Sequence, residues 1–143
     1  MGRMFVGKVV TAAARPTKTG ASATFTGVVY QDEVLVGAAP SRMRATLVSF
    51  TPGARTAWHS HPVGQTLYVT AGVGRICFDD GNPIAIQPGD TVMIPPNARH
   101  WHGAAPDRLF THLAMSEQSD TGAGTDWYEH VADADYAKAA KTP

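Results

Sequence analysis

Fourteen glycines and ten prolines punctuate the chain, falling roughly every eight to twelve residues, and the stretches between them are short and rich in β-branched and aromatic side chains. A chain interrupted this often does not sustain long helices and folds instead into many short strands. Candidate strands run over 25–30, 43–50, 56–61, 65–70, 74–78, 84–87, 91–94, 100–103 and 109–117, a pattern that points to a sandwich or barrel. Thr51-Pro52-Gly53-Ala54 and Gln87-Pro88-Gly89-Asp90 each put proline at turn position i+1 and glycine at i+2, as a type II turn requires. They predict equivalent corners in a repeated unit. Helix is expected only near the end, where Asp133 is positioned to cap an alanine-rich stretch over 134–140.

At 143 residues one domain with its own core is expected. Residues 24–125 form the barrel, 126–143 a tail with the short helix, and 1–23 a partly mobile segment or one that exchanges a strand with a neighbouring subunit. Twelve basic and twelve acidic residues cancel, and without a Lys/Arg cluster nucleic acid and membrane surfaces are excluded as expected partners. No apolar run approaches the roughly 20 residues a membrane helix needs, and the N-terminus makes no convincing signal peptide. A cytoplasmic location is expected. The single cysteine, Cys77, lies in an apolar stretch and reads as a small core residue, not a reactive thiol.

His59 and His61 are two residues apart, so on a strand both point to one face and chelate one ion without distorting the backbone. Gln65 follows a turn and opens the next strand, which sets its amide oxygen beside the two imidazoles. His100 begins a strand far along the chain. Four such ligands for one divalent metal converge only in a closed or nearly closed sheet. His102 shares a face with His100 and is a candidate general base, because imidazole titrates near neutral pH. In the last long strand Phe110, His112, Ala114 and Ser116 share a face that lines a cavity, and in 43–50 Thr46, Val48 and Phe50 supply pocket walls suited to a compact, aromatic substrate. Trp58 and Trp101 alternate with ligand histidines and point the other way.

The stretches Gly53-x5-His59-x-His61-x3-Gln65-x6-Gly72 and Gly89-x5-Pro95-x-Asn97-x2-His100 resemble the two motifs of the cupin family. The resemblance implies an all-β, jelly-roll-like, double-stranded β-helix barrel with a metal in its mouth. Three positions depart from the family pattern: Gln65 stands where Glu is usual, Asn97 where Gly is usual and Ala104 where Asn is usual. Asn tolerates the left-handed backbone that Gly supplies. Gln removes a negative charge from the ligand set, leaving the ion a stronger Lewis acid.

Over residues 46–136 the chain is also similar to small bacterial cupins that act as manganese-dependent hydroxynitrile lyases. The similarity rests on Pro52 to His59, Gly64 to Leu67, His100 to Pro106, Thr111 to Ala114 and Trp127-x-Glu129-His130-Val131. It implies cleavage of a cyanohydrin to an aldehyde and hydrogen cyanide. In that scheme His102 takes the hydroxyl proton, His112 protonates cyanide, and Ser116 and Thr46 orient the substrate. Two other readings are a metal-dependent oxygenase cleaving a carbon–carbon bond of a small aromatic or enol substrate and a metal-dependent small-molecule binder without turnover. Manganese is the expected ion, with iron, nickel, cobalt and zinc as alternatives. By analogy with cupins, a homo-oligomer, dimer or tetramer, is expected to cover an exposed sheet edge.

Overall fold

The computed structural model describes residues 4–122 and 124–143; 1–3 of the N-terminal segment and 123 of the barrel lie outside the described residues. At the two predicted corners Gly53 and Gly89 have φ of 82° and 93°, and the amides of Ala54 and Asp90 donate to the carbonyls of Thr51 and Gln87 at 2.9 and 3.0 Å. These are the expected tight turns. Asn97 occupies the left-handed region with φ 62°.

Between the turns, and after a short 3-10 turn at Ala12–Ala14, the described residues form β1 (Thr17–Thr19), β2 (Phe25–Thr26), β3 (Val29–Val36), β4 (Met43–Phe50), β5 (Arg55–Thr56), β6 (His59–Ser60) and β7 (Gln65–Gly72). They continue with β8 (Gly74–Phe78), β9 (Ile84–Ile86), β10 (Thr91–Ile94), β11 (His100–Ala104), β12 (Phe110–Glu117), β13 (Asp126–Trp127) and α1 (Asp133–Tyr136). The larger sheet has the order β1-β3-β4-β12-β7-β10; the smaller has β13-β6-β11-β5-β2, with β8 and β9 continuing from β11. Strand pairing is antiparallel in both. The fold is all-β, with a jelly-roll-like barrel and one short helix near the C-terminus.

Strands β4, β8 and β10 have the expected bounds. The stretch expected over 25–30 is two strands in different sheets, separated at Gly27, whose φ is +79° and where a Cβ would lie 2.9 Å from that of Ala54. The stretch over 56–61 likewise divides into β5 and β6. Part of the N-terminal segment is ordered as β1, which pairs with β3 of its own chain, Thr17 opposite Asp32.

Alternation sends one set of apolar side chains between the sheets, where Val29, Phe50, Leu67, Val69 and Phe110 are fully buried. A second cluster, Trp58, Cys77, Trp101, Val131 and Tyr136, packs the C-terminal tail on the smaller sheet. The two tryptophans therefore face away from the histidines, as alternation requires. Burial pushes the Cys77 thiol up to about 11, which keeps it protonated and unreactive.

The tail is held by two buried arginines. Arg55 donates to the Val131 carbonyl at 2.9 Å and to the Asp133 carboxylate at 2.6 Å. Arg75 donates to the carbonyls of Tyr136 and Lys138 at 2.9 and 3.0 Å. Both guanidinium groups face the Tyr136 ring, at 4.4 and 5.2 Å. This arrangement corrects the expected helix, which covers only Asp133–Tyr136 with Ala132 as an N-cap that makes no side-chain bond. Asp133 does not cap it because Arg55 holds its carboxylate, and Arg75 draws off the carbonyls that a longer helix would use.

Gly72 ends β7 with φ +74°, and a Cβ there would lie 1.7 Å from the Leu109 carbonyl oxygen. No side chain fits without backbone movement. Gly72→Ala is expected to cost at least about 3 kcal/mol through combined strain and overlap. Gly89→Ala, where the same Cβ meets open space, is expected to cost only about 1 kcal/mol. Urea unfolding of the two variants checks the difference.

Candidate metal centre and its cavity

His59 and His100 lie opposite each other in the register of β6 and β11. Each is oriented by the same local device: the Nδ1–H of His59 donates to the Ala57 carbonyl, and that of His100 to the Ala98 carbonyl, both at 2.8 Å. His61 Nδ1–H donates across the sheet to the Gly124 carbonyl at 3.0 Å, with Thr125 Oγ1 at 3.3 Å. A proton held on Nδ1 leaves the lone pair on Nε2, the tautomer a metal ligand needs.

The three imidazoles are buried, and their candidate ligand atoms all lie within 4.8 Å of one another. Nε2 of His61 and of His100 is buried with no hydrogen-bond partner among the described residues. Buried polar atoms left this way are costly, and an ion ligated by all three satisfies them together. The donor set fits a divalent metal. The fourth sequence candidate, Gln65, opens β7 in the opposite sheet and lines a cavity that His61 also faces.

Burial holds all three histidines in the neutral form. It lowers His59 well below its ordinary value, with the nearby His100 adding to the effect, and it lowers His100 to about 4. His61 is lowered by burial against the opposing pull of the Gly124 carbonyl and Gln65. Neutral imidazole is the form that binds metal.

Two further histidines sit beside the three. His102 and His112 are buried, and His112 Nε2 lies 3.1 Å from His102 Nδ1. Burial lowers both, His112 to about 3 and His102 well below the usual range, with His112 the next contributor. Among the described residues His102 Nε2 has no hydrogen-bond partner, and both histidines line a cavity of about 290 Å³ that also includes His61 and Gln65. The volume lies at the small end of small-molecule sites.

Thr46, Val48 and Ser116 line this cavity, as does Ala114. Phe50 and Phe110 do not. They face each other across β4 and β12, stacked with ring centroids 5.6 Å apart, and close the core against the rings of His102 and His112. Sequence reasoning assigned no site role to Phe25, Thr56, Gln31, Glu33, Thr125 or Trp127, which line the cavity too. For Gln31 and Glu33 the alternation that marks inward positions extends along β3, past the end expected at residue 30.

The sequence profile of the cupin domain matches residues 46–111. Over 114 residues, 80% of this chain and 86% of the relative, the sequence is 48% identical to an (R)-mandelonitrile lyase of Granulicella tundricola. A cupin-like protein of Thermotoga maritima superposes with TM-score 0.80 at 39% identity, covering 86% of this chain and 92% of that one. The fold, at 16% identity, is also that of a polyketide cyclase from Streptomyces resistomycificus, with TM-score 0.73 over 92% of this chain and 91% of that one. Among the described residues no helix is long and apolar enough to cross a membrane.

Proposed function

The chain belongs to the cupin family, and from that premise we propose that it is a metal-dependent lyase that cleaves cyanohydrins to an aldehyde and hydrogen cyanide. The observation that carries the reading is a histidine pair free of ligand duty, His102 and His112, facing the same small cavity as His61 of the three-histidine centre and Gln65. The relative that is 48% identical carries a name of the same class.

His59, His61, His100 and Gln65 would hold the ion, for which we propose manganese. Bound there, a divalent ion supplies a Lewis acid that lowers the pKa of the substrate hydroxyl, and a neutral Gln65 leaves its charge undiminished. His102 accepts the hydroxyl proton at Nε2. That role requires the His102 proton on Nδ1, from which it donates to His112 Nε2; the 3.1 Å contact accommodates that tautomer and sets the aim of the base. As the bond between the carbinol carbon and the nitrile carbon breaks, its electron pair leaves with cyanide and the alkoxide oxygen becomes the aldehyde carbonyl. The proton held by the pair passes to cyanide. Thr46 and Ser116, on the opposite sheet, orient the substrate from the cavity wall.

Manganese-loaded protein incubated with racemic mandelonitrile at mildly acidic pH is expected to release benzaldehyde enantioselectively, at the same rate with and without dioxygen. The absence of a metal-dependent, enantioselective rate would sink the lyase reading, and a strict need for dioxygen would favour an oxygenase. His102→Ala is expected to lower kcat by about 10² to 10⁴, the usual contribution of a general base, with metal content unchanged. Metal analysis beside steady-state kinetics checks both halves.

A further inference from the structure

The cavity differs in chemistry along its walls. Toward the metal centre it is lined by imidazoles. Beside them the smaller sheet contributes two aromatic rings, Phe25 of β2 and Trp127 of β13, and the larger sheet contributes Val48 and Ala114. Trp127 is directly opposite His59 in the register, so the two side chains share the inward face. Its indole lies 4.7 Å from the His59 imidazole at an interplanar angle of 31° and meets the Phe25 ring edge-on, with centroids 6.1 Å apart at 61°.

Despite this inward position, 40% of the Trp127 surface remains exposed. His59 packs against the indole on one side and Phe25 on another, and the backbone is tied down by Tyr128, whose amide donates to the Trp58 carbonyl at 2.9 Å. The uncovered part of an indole lining a small cavity is apolar area that a bound molecule covers.

We propose that Trp127 and Phe25 are specificity-determining residues that receive an aryl ring of the substrate, directing its polar carbon toward His61 and His102. The proposal rests on the lyase reading for the identity of that polar group, and on the two aromatic walls for the ring. Two rings meeting at a wide angle present a face and an edge to a third, the arrangement in which aromatic groups attract beyond simple area burial. A cavity of about 290 Å³, at the small end of small-molecule sites, suits one ring with a short polar substituent. Aryl preference then resides in the C-terminal tail as well as in the barrel.

The test separates binding from turnover. Affinities of the manganese-loaded protein for benzyl alcohol and for butan-1-ol are measured by ligand-observed NMR, and kcat/KM is measured for mandelonitrile and for an aliphatic cyanohydrin. The native protein is expected to prefer the aromatic member of each pair by roughly tenfold, the size of effect that ring contacts give. Trp127→Leu, which keeps apolar bulk, is expected to bring the ratio close to one. Phe25→Leu, whose ring contacts are with Phe50 and Trp127 and not with a ligand imidazole, is expected to shift the ratio in the same direction without disturbing His59. Metal content and circular dichroism accompany each variant. A native protein without aromatic preference, or a preference retained in both folded, metal-loaded variants, overturns the proposal. Loss of the binding preference in the variants when no cyanohydrin is turned over upholds the aryl site and removes the lyase reading; turnover of both cyanohydrins with an unchanged ratio does the reverse.

Discussion

Replacing His100 with alanine is expected to strip the protein of its metal and lower kcat/KM on a cyanohydrin by at least about a thousandfold, well beyond the ten- to hundredfold that an outer-sphere partner costs. His100 is fully buried, pairs with His59 across the strands and spends its Nδ1 proton on the Ala98 carbonyl. Among the described residues its Nε2 has no hydrogen-bond partner. The two remaining imidazoles and an amide are a poorer donor set, and without the ion the substrate hydroxyl keeps its ordinary pKa. Metal analysis after dialysis and a benzaldehyde assay read the two losses separately. A variant that retains stoichiometric metal would show that His100 is not a ligand.

The second large effect is acid lability of the metal-free protein. Five buried histidines, His59, His61, His100, His102 and His112, are all shifted downward by burial, whereas in the unfolded chain each titrates near 6.5. Between those values the unfolded state binds more protons than the folded one, so stability falls as pH falls. The contribution is fully present above about pH 6.5 and is lost progressively toward the folded values, about 4 for His100 and about 3 for His112. By pH 5 His100 alone accounts for about 2 kcal/mol. The melting temperature of metal-free protein is therefore expected to drop by at least about 10 °C from pH 7 to pH 5. The loaded protein is expected to melt higher at both pH values, because an ion bound only to the folded state adds stability. Calorimetry across that range is the check, and a flat profile for the metal-free protein would mean that the cluster is not held neutral by burial.

The strands and the three clustered histidines were legible because their signals are local. Pro-Gly corners set turn geometry within four residues, and two histidines at i and i+2 share a face whatever the rest of the chain does. The bounds of β4, β8 and β10 followed from alternation and flanking turns alone. What escaped notice depends on distant partners. Gln31 and Glu33 are polar and lie past the strand end expected at residue 30, yet one face of that strand lines the cavity. Asp133 looked like a helix cap because nothing nearby competes for it; its partner, Arg55, is 78 residues away. Trp127 was visible only as part of a similarity, since two-residue strands such as β13 have no periodicity to detect. Phe50 and Phe110 have the inward parity expected of them, but parity does not say how deep along the strand the cavity reaches.

The carbonyls of Ala57, Ala98 and Gly124 aim their three imidazoles through bonds internal to the chain. Because these bonds need no metal, capture of an ion is expected to require no refolding. Loading and chelation are then expected to be exchange reactions, reversible without passage through an unfolded state. One preparation, stripped once, accommodates a whole series of ions in turn, so differences in rate among them report the ion and not the scaffold.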